Sequence, residues 1–152
     1  MSRRRQAPRK TLVADARRVQ AACIATGLRV ATQRAGRVLE RHLAPSGLSP
    51  AQFRLMTVIA AAEDDSVAAL AERMGLDQST LSRNLRALER AGLAEIAAVE
   101  ADLRRRTVWL TEAGARRLEA ALPLWREAQA RLAEAIAPAQ VGALLAATEE
   151  LA

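Results

Sequence analysis

The stretch AALAERMGLDQSTLSRNLRALERAGL, residues 68–93, decides the fold of this chain. Its first part predicts a short helix over Val67–Met74, and Gly75 then supplies a tight turn. Asp77 is placed to cap a second helix, and Gly92 ends that helix because glycine readily adopts the left-handed conformation found just past a helix. Two short helices around a glycine turn predict a helix-turn-helix.

The second of these helices has two different faces. Leucines at positions 81, 85 and 88 form one apolar stripe, which is predicted to pack on the preceding helix. The other face and its flanks carry hydroxyl, amide and guanidinium groups, which can approach base edges in a major groove. Arg83 has the reach for a guanine edge or a phosphate, and the helix N-terminus is expected to favour a phosphate. The predicted DNA-binding side chains on this helix are Gln78, Ser79, Thr80, Ser82, Arg83, Asn84 and Arg86.

A β-hairpin is predicted after the helix-turn-helix. Segments 94–100 and 105–110 show partial alternation and β-branched residues. The predicted tip reads DLRRR, residues 102–106, and its three adjacent arginines suit a narrow minor groove or the flanking phosphates. The tip arginines predicted to contact DNA are Arg104, Arg105 and Arg106. The order helix, turn, helix, hairpin is that of a winged helix-turn-helix.

Long helical patterns flank this unit on both sides. Apolar side chains repeat at helical spacing over residues 11–43, and again over residues 112–151, where Thr111 caps the start and Pro138 opens a last helix. At about 1.5 Å per residue the first helix would be roughly 50 Å long, which one small domain cannot cover. The pattern therefore predicts a homodimer, in which a second copy covers these helices.

These elements define the predicted organisation. The expected fold class is mainly α (α+β): a winged helix-turn-helix with a two-stranded hairpin wing and long terminal dimerisation helices. Residues 1–10 are expected to be a disordered basic tail, because they are charged and lack apolar periodicity. Residues 11–152 are expected to form a single domain, with dimerisation helices at 11–43 and 112–151 and the winged unit at 49–111.

Net charge, hydropathy and cysteine content limit the possible classes of function. The 152 residues carry a net charge of +6, but the four Arg and one Lys of residues 1–10 supply most of it. The position of particular arginines, and not bulk charge, must therefore support nucleic-acid binding. No apolar run approaches the roughly 18 residues of a membrane span, no signal peptide is evident, and the single Cys23 excludes an internal disulfide. We expect a soluble, cytoplasmic protein with no membrane partner.

Signatures of catalysis are absent from the sequence. It contains no HExxH, GxSxG, P-loop or paired-cysteine motif. We therefore expect no enzyme activity, no catalytic or metal-binding residues and no cofactor.

Three stretches together resemble the MarR family: the helix-turn-helix at 68–93, DLRRRTVWLTEAG at 102–114 and LSPAQFRLM at 48–56. The similarity extends over about residues 15–137. It implies a dimer whose interface is built from the N- and C-terminal helices, with one winged domain in each subunit. It also implies a repressor of nearby genes, which small aromatic or phenolic ligands or oxidants release from double-stranded DNA.

The resemblance also implies roles in the wing. Asp102 and Arg104 match the family's Asp-x-Arg, in which the Asp orients the Arg into the minor groove. Leu103 stands where many members of the family have another Arg.

The signal that controls DNA binding has two candidates. Phe53, Met56 and Trp125 lie near Ala-rich helix faces, where small side chains leave room for a pocket, so they are the predicted site of a small aromatic or phenolic effector. Cys23 stands where the resemblance places the reactive cysteine of peroxide-sensing members, which makes a redox-sensing regulator the alternative. The chain has no Tyr to support that cysteine and no second Cys to resolve a sulfenic acid as an intrachain disulfide, so we favour the effector. Pairing of Cys23 between two subunits, or capping by a cellular thiol, stays open.

A different class of function stays open at this point. A winged-helix module that binds protein has no need of a cationic recognition face, and the polar side of the second helix would then be only a solvated surface. The arginines at positions 83, 86 and 104–106 favour DNA over this alternative.

Overall fold

The computed structural model describes residues 11–62, 66–99, 102–149 and 151. Over these residues the chain forms seven α-helices, one short 3-10 turn at Ala44–Ser46 and one antiparallel hairpin, which confirms the expected fold class. The elements are α1 (Leu12–Ala22), α2 (Ile24–Leu43), α3 (Pro50–Ala60), α4 (Val67–Met74), α5 (Gln78–Arg90), β1 (Ala94–Val99), β2 (Asp102–Leu110), α6 (Glu112–Ala133) and α7 (Pro138–Glu149). The predicted basic tail, residues 1–10, lies outside the described residues.

The chain divides into two compact units, one ending at Gly36 and the other beginning at Arg37. In the first unit the predicted single helix over residues 11–43 is wrong, because the chain leaves the helical conformation at Cys23 (φ −75°, ψ 102°). The Cys23 carbonyl accepts a hydrogen bond from the Gly27 N–H (3.1 Å), and the Thr26 hydroxyl donates to Cys23 Sγ (3.2 Å). These bonds lie at the start of the new helix, α2, which follows the break.

The core of the second unit is built almost entirely from aliphatic side chains. The fully buried large residues are Leu43, Leu55, Met56, Leu70, Leu81, Leu85, Leu88 and Val108. They come from α2, α3, α4, α5 and β2, so the helix-turn-helix and the hairpin share one core.

Local capping bonds set the start of α3 as the sequence predicts. The Ser49 hydroxyl accepts from the Gln52 N–H (3.2 Å), and Gln52 Oε1 accepts from the Ser49 N–H (2.9 Å). This reciprocal pair is a capping box, and Pro50 occupies the first helical position, where its missing N–H costs nothing. Leu48 and Phe53 are both buried beside it, as expected for a hydrophobic staple.

The helix-turn-helix also follows its sequence pattern. The Ser66 hydroxyl accepts from the Ala69 N–H at the start of α4, and Gly75 ends α4 with a positive φ of 62°. Asp77 then caps α5. The leucines at 81, 85 and 88 have at most 1% of their surface exposed, so the predicted apolar stripe faces the core.

The hairpin differs from its prediction at the tip. Strand β1 pairs with β2 from Ala94–Leu110 to Ala98–Arg106, after which an irregularity brings Val99 opposite Asp102. The expectation that β2 begins at residue 105 is wrong, because the backbone is already strand from Asp102. A two-stranded hairpin leaves side chains free to reach solvent, so charged residues do not prevent pairing there. Residues 100–101 and the side chains of residues 99 and 102–105 lie outside the described part of the chain.

Helix α6 begins against the end of the helix-turn-helix. The Thr111 hydroxyl donates to the Gly92 carbonyl (2.7 Å) and accepts from the Gly114 N–H (2.9 Å), so it ties the end of α5 to the start of α6 as it caps. Arg117 Nη1 donates to the Ser46 carbonyl (2.9 Å) and fastens α6 to the end of α2. The helix then continues through Pro123 to Ala133.

The last helix, α7, has a different environment. Its residues are mostly apolar, yet every position from 138 to 147 is exposed. Among the residues that the structure describes, none of the helices has both the length and the apolar character needed to cross a lipid bilayer.

Candidate DNA-binding surface

The exposed side of α5 carries the side chains that the sequence singles out. Its leucine stripe is anchored in the core, so the opposite side of the helix is directed to solvent. The exposed members of the predicted set are Gln78, Ser79, Arg83 and Arg86, and the half-buried members are Thr80, Ser82 and Asn84. The structure therefore brings all seven predicted residues of this helix onto or beside one accessible face.

Asp77 organises the first turn of this face. Its Oδ1 accepts from the Ser79 hydroxyl (2.5 Å) and from the Thr80 N–H (2.8 Å), and its Oδ2 accepts from the Thr80 hydroxyl (2.7 Å). The Ser79 and Thr80 hydrogen bonds hold the pKa of the Asp77 carboxyl well below its usual range. Arg83 Nη2 in turn donates to Thr80 Oγ1 (3.2 Å), which links the guanidinium to the same cluster.

The Asp77 cluster bears on the expectation that the N-terminus of α5 favours a phosphate. The sequence predicts that the helix N-terminus favours a phosphate, but the Asp77 carboxylate already occupies that position and takes the Thr80 N–H. A second anion placed there would meet a like charge, which is unfavourable. A phosphate at this N-terminus stays a prediction, and the cations of the face lie further along the helix, at Arg83 and Arg86.

A groove connects α5 to the hairpin. It has a volume of about 290 Å³, and its walls come from the start of α4, from α5 and from both strands. Gln78, Ser82 and Arg86 line it from the helix, and Arg106 lines it from β2. The predicted helix residues and one predicted wing residue thus share a surface. The predicted roles of Asp102, Arg104 and Arg105 rest on side chains outside the described part of the chain.

The comparisons with known proteins address the family directly. The sequence profile of the MarR family matches residues 46–105, from the turn before α3 into the hairpin. The M. tuberculosis transcriptional regulator MosR, solved in complex with DNA, is 34% identical with a TM-score of 0.71. That alignment covers 86% of this chain and 97% of MosR. The chain belongs to the MarR family. No curated protein sequence matches it.

More distant MarR-family structures share the fold. A mutant of E. coli MarR complexed with operator DNA is 22% identical with a TM-score of 0.77, over 88% of this chain and 96% of that one. Bordetella bronchiseptica BpsR, whose DNA binding is regulated by 6-hydroxynicotinic acid, is 22% identical with a TM-score of 0.73, over 84% and 91%. MarR-family proteins are transcription regulators and not enzymes, so the family confirms the class of function expected from the sequence.

An apolar cavity lies elsewhere in the second unit. It has a volume of about 580 Å³, and its lining includes Leu39, Phe53, Leu122 and Trp125. The Phe53 and Trp125 rings stack with centroids 6.4 Å apart and an interplanar angle of 23°. Of the three residues predicted for an effector pocket, these two line the cavity. Met56 does not, because it points into the core and is 0% exposed.

The cysteine predicted as an alternative sensor is only half-buried. The Thr26 hydroxyl, which donates to Cys23 Sγ, lowers the pKa of the Cys23 thiol. A thiol with a lowered pKa and an accessible sulfur is more reactive than an ordinary buried cysteine.

Some contributors to these sites were not predicted. Asp77 was expected only as a helix cap, although a hydroxyl two and three residues after an Asp is a known signal for local side-chain bonding. Leu122 lies one helical turn before Trp125, so the i, i+3 spacing indicates that the two share a face. Glu89, which also lines the α5 groove, has no distinguishing sequence signal because acidic residues are common on exposed helix faces.

Proposed function

We propose that this chain is a homodimeric, cytoplasmic transcription regulator that binds a pseudo-palindromic operator in double-stranded DNA and releases it in response to a small effector. The two α5 helices of the dimer enter successive major grooves, with half-sites about one helical turn apart. The sign of regulation most consistent with the resemblance is repression.

One observation carries the DNA-binding part of this proposal. The exposed side of α5 presents Arg83 and Arg86 beside short polar side chains, and Arg106 of the hairpin lines the groove that Arg86 also lines. Guanidinium groups serve both bidentate recognition of guanine and contact with phosphates, whereas short hydroxyl and amide groups allow close approach to base edges. A module that binds only protein requires no such arrangement.

The salt dependence of DNA binding tests this assignment. Fragments selected from the source genome supply the operator, and affinity is then measured by fluorescence anisotropy over a series of salt concentrations. We expect log K to fall linearly with log salt. We expect Arg106→Ala to weaken binding to all sequences alike, and to lower the slope by about one for each phosphate that the arginine neutralises in the wild type.

Arg116→Ala is the matched control for that experiment. Arg116 is an exposed arginine on α6 that pairs with Glu112, so its removal takes away one positive charge without touching the α5 groove. We expect the control to keep the wild-type slope. A chain that binds no duplex at low salt would contradict the proposal and favour the protein-binding alternative.

Exposed apolar side chains support the dimer. In the first unit Leu12, Val13, Val19 and Ile24 are more than half exposed. In the second unit the large apolar residues of α7, Val141, Leu144 and Leu145, are exposed, although apolar helix faces are normally covered by protein. A single copy of the chain leaves these surfaces in water, so we infer that a second copy covers them.

Sedimentation at micromolar concentration tests the dimer. We expect the wild type to sediment only as a dimer, and Leu145→Glu on α7 to dissociate it, because a buried unpaired carboxylate disfavours the interface. Gln33→Glu, which places the same charge on the polar face of α2, is expected to stay dimeric. A stable wild-type monomer that binds DNA equally well would contradict the dimer.

The apolar cavity supports a small aromatic or phenolic effector. Its lining is mostly aliphatic and aromatic, while Arg54 and Thr57 supply polar groups that could orient a ligand. An effector that binds one arrangement of the dimer more tightly shifts the population away from the arrangement that fits DNA. A panel of hydroxylated aromatic acids, added to the DNA complex, is expected to include compounds that release the wild type. Ala51→Trp, which fills the cavity from α3, is expected to bind DNA normally and to resist that release.

Redox sensing by Cys23 is a second candidate, favoured by its hydrogen bond from Thr26 and its lowered pKa. Peroxide treatment of the wild type and of Cys23→Ser separates the two signals. We expect peroxide to leave both bound to DNA. Release of the wild type alone would establish the redox candidate in place of the effector.

A further inference from the structure

The hydroxyl groups at the start of α5 have lost their freedom to donate hydrogen bonds outward. Each hydroxyl has one hydrogen, and an ionised carboxylate can only accept. The Ser79 hydroxyl lies 2.5 Å from Asp77 Oδ1, and the Thr80 hydroxyl lies 2.7 Å from Asp77 Oδ2. Hydrogen bonds to a charged group are the strongest class, so both hydrogens stay committed to Asp77.

What these hydroxyls still offer to a partner is lone pairs. Ser79 is exposed, and no donor among the described residues bonds to its hydroxyl oxygen, whereas Thr80 Oγ1 accepts from Arg83 and keeps one lone pair. In the major groove the hydrogen-bond donors are the amino groups of adenine and cytosine. Guanine O6 and N7 and thymine O4 are acceptors, which an acceptor-only hydroxyl cannot satisfy.

The negative charge of Asp77 also favours amino groups of bases over acceptor groups. Its carboxylate is exposed at the end of α5, within one turn of Ser79 and Thr80. A negative charge at this place repels base acceptors and phosphates and attracts amino groups, and a carboxylate is itself a known acceptor for the cytosine amino group.

We propose that Asp77 is a specificity-determining residue, which holds the Ser79 and Thr80 hydroxyls as acceptors and so directs the first turn of α5 to the amino group of adenine or cytosine. This inference rests on the proposed DNA-binding function. It goes further by naming the chemical group of the bases that the first turn of α5 recognises. Asp77 acts on Ser79 and Thr80 as a positioning residue.

Asp77→Asn tests the proposal with little change in shape. Asn caps helices about as well as Asp, and its amide oxygen would take the place of Oδ1 because it must accept from the Thr80 N–H. The amide nitrogen then replaces Oδ2 and can only donate, so the Thr80 hydroxyl hydrogen is released to point outward. We expect the preference for adenine or cytosine over guanine or thymine to fall by about tenfold at one position in each half-site. Selection from a randomised operator library followed by sequencing measures this ratio.

Asp77→Asn also removes a negative charge, and Glu72→Gln is the control for the effect of that charge on DNA binding. Glu72 is exposed on α4, and its substitution removes one negative charge from the same helix-turn-helix without touching the Asp77 cluster. We expect this control to strengthen binding to all sequences alike and to leave the base preferences unchanged. Thr80→Val, which deletes the hydroxyl and keeps the shape, is expected to lower the preference at the same position as Asp77→Asn. Thermal unfolding of each variant verifies that the fold is retained.

The outcomes separate this inference from the proposed function. If the wild type selects an operator but Asp77→Asn shows the same base preferences as Glu72→Gln, and Thr80→Val keeps the wild-type preference, Asp77 has no part in specificity. Every base pair carries one amino group in the major groove, so the selected pair is also tested with an analogue that lacks this group. If the analogue leaves the affinity of the wild type unchanged, the inference is overturned while DNA binding stands. If the wild type selects no sequence at all, both are overturned.

Discussion

Replacing Arg83 with alanine is expected to reduce affinity for the operator by roughly 5- to 150-fold, about 1–3 kcal/mol. Arg83 is exposed on the second turn of α5, and its Nη2 donates to Thr80 Oγ1 at 3.2 Å, so the guanidinium starts from a restrained position next to the hydroxyl cluster. A restrained side chain loses less entropy on binding than a free one. The loss should be concentrated at one base pair in each half-site, because Arg83 is predicted to read a base. Fluorescence anisotropy on the operator and on a random duplex at the same salt concentration gives both affinities.

Arg90→Ala is the matched control for this prediction. Arg90 is also an exposed arginine of α5, but it lies in the last turn, far along the helix from Asp77 and Thr80. We expect its removal to weaken operator and random DNA by similar, smaller factors. If Arg83→Ala likewise weakens both duplexes equally, Arg83 contacts phosphate and does not read a base.

Replacing Gly114 with alanine is expected to destabilise the fold by about 1–3 kcal/mol or more, because the core there has no room for a methyl group. A Cβ at position 114 would lie 2.0 Å from the Leu93 carbonyl oxygen and 2.9 Å from the Leu93 carbonyl carbon. Both are backbone atoms, and the Thr111 N–H holds the same oxygen at 3.1 Å, so the junction between α5 and α6 must move as a whole. Circular dichroism during thermal unfolding should show Tm lowered by several degrees.

Gly36→Ala is the control for the glycine at the α6 junction. Gly36 lies exposed inside α2, and a Cβ there would meet nothing within 4 Å. Alanine is the better helix former, so we expect this variant to be as stable as the wild type or slightly more so. A Tm for Gly114→Ala equal to that of the wild type would mean that α6 can shift away from Leu93 without cost.

The predictions that succeeded depend on short-range chemistry. The capping box of Ser49 and Gln52, the Asp77 cap and the Thr111 cap each join residues three positions apart, so the sequence alone contains both partners. The leucine stripe of α5 is equally local, because helical periodicity determines which residues share a face. The winged helix-turn-helix follows from these signals in order along the chain.

The predictions that failed depend on choices that local sequence leaves nearly balanced. The long N-terminal helix breaks at Cys23, where one residue with ψ of 102° separates two stretches of similar composition. Strand β2 begins at Asp102 because pairing with β1 continues past an irregularity, and strand register depends on the partner strand.

The sequence by itself determined the family, the order of the elements and the polar face of α5, since each of these is written in motifs and periodicities a few residues long. Only the tertiary structure decided which of the predicted residues lie together. It placed Arg106 of β2 on the groove lined by Arg86, stacked Phe53 of α3 against Trp125 of α6, and turned Met56 into the core. The physical reason is that side chains distant in sequence meet only through the packing of whole helices and strands. The rotation of α3 about its axis decides which of its residues line the cavity and which fill the core.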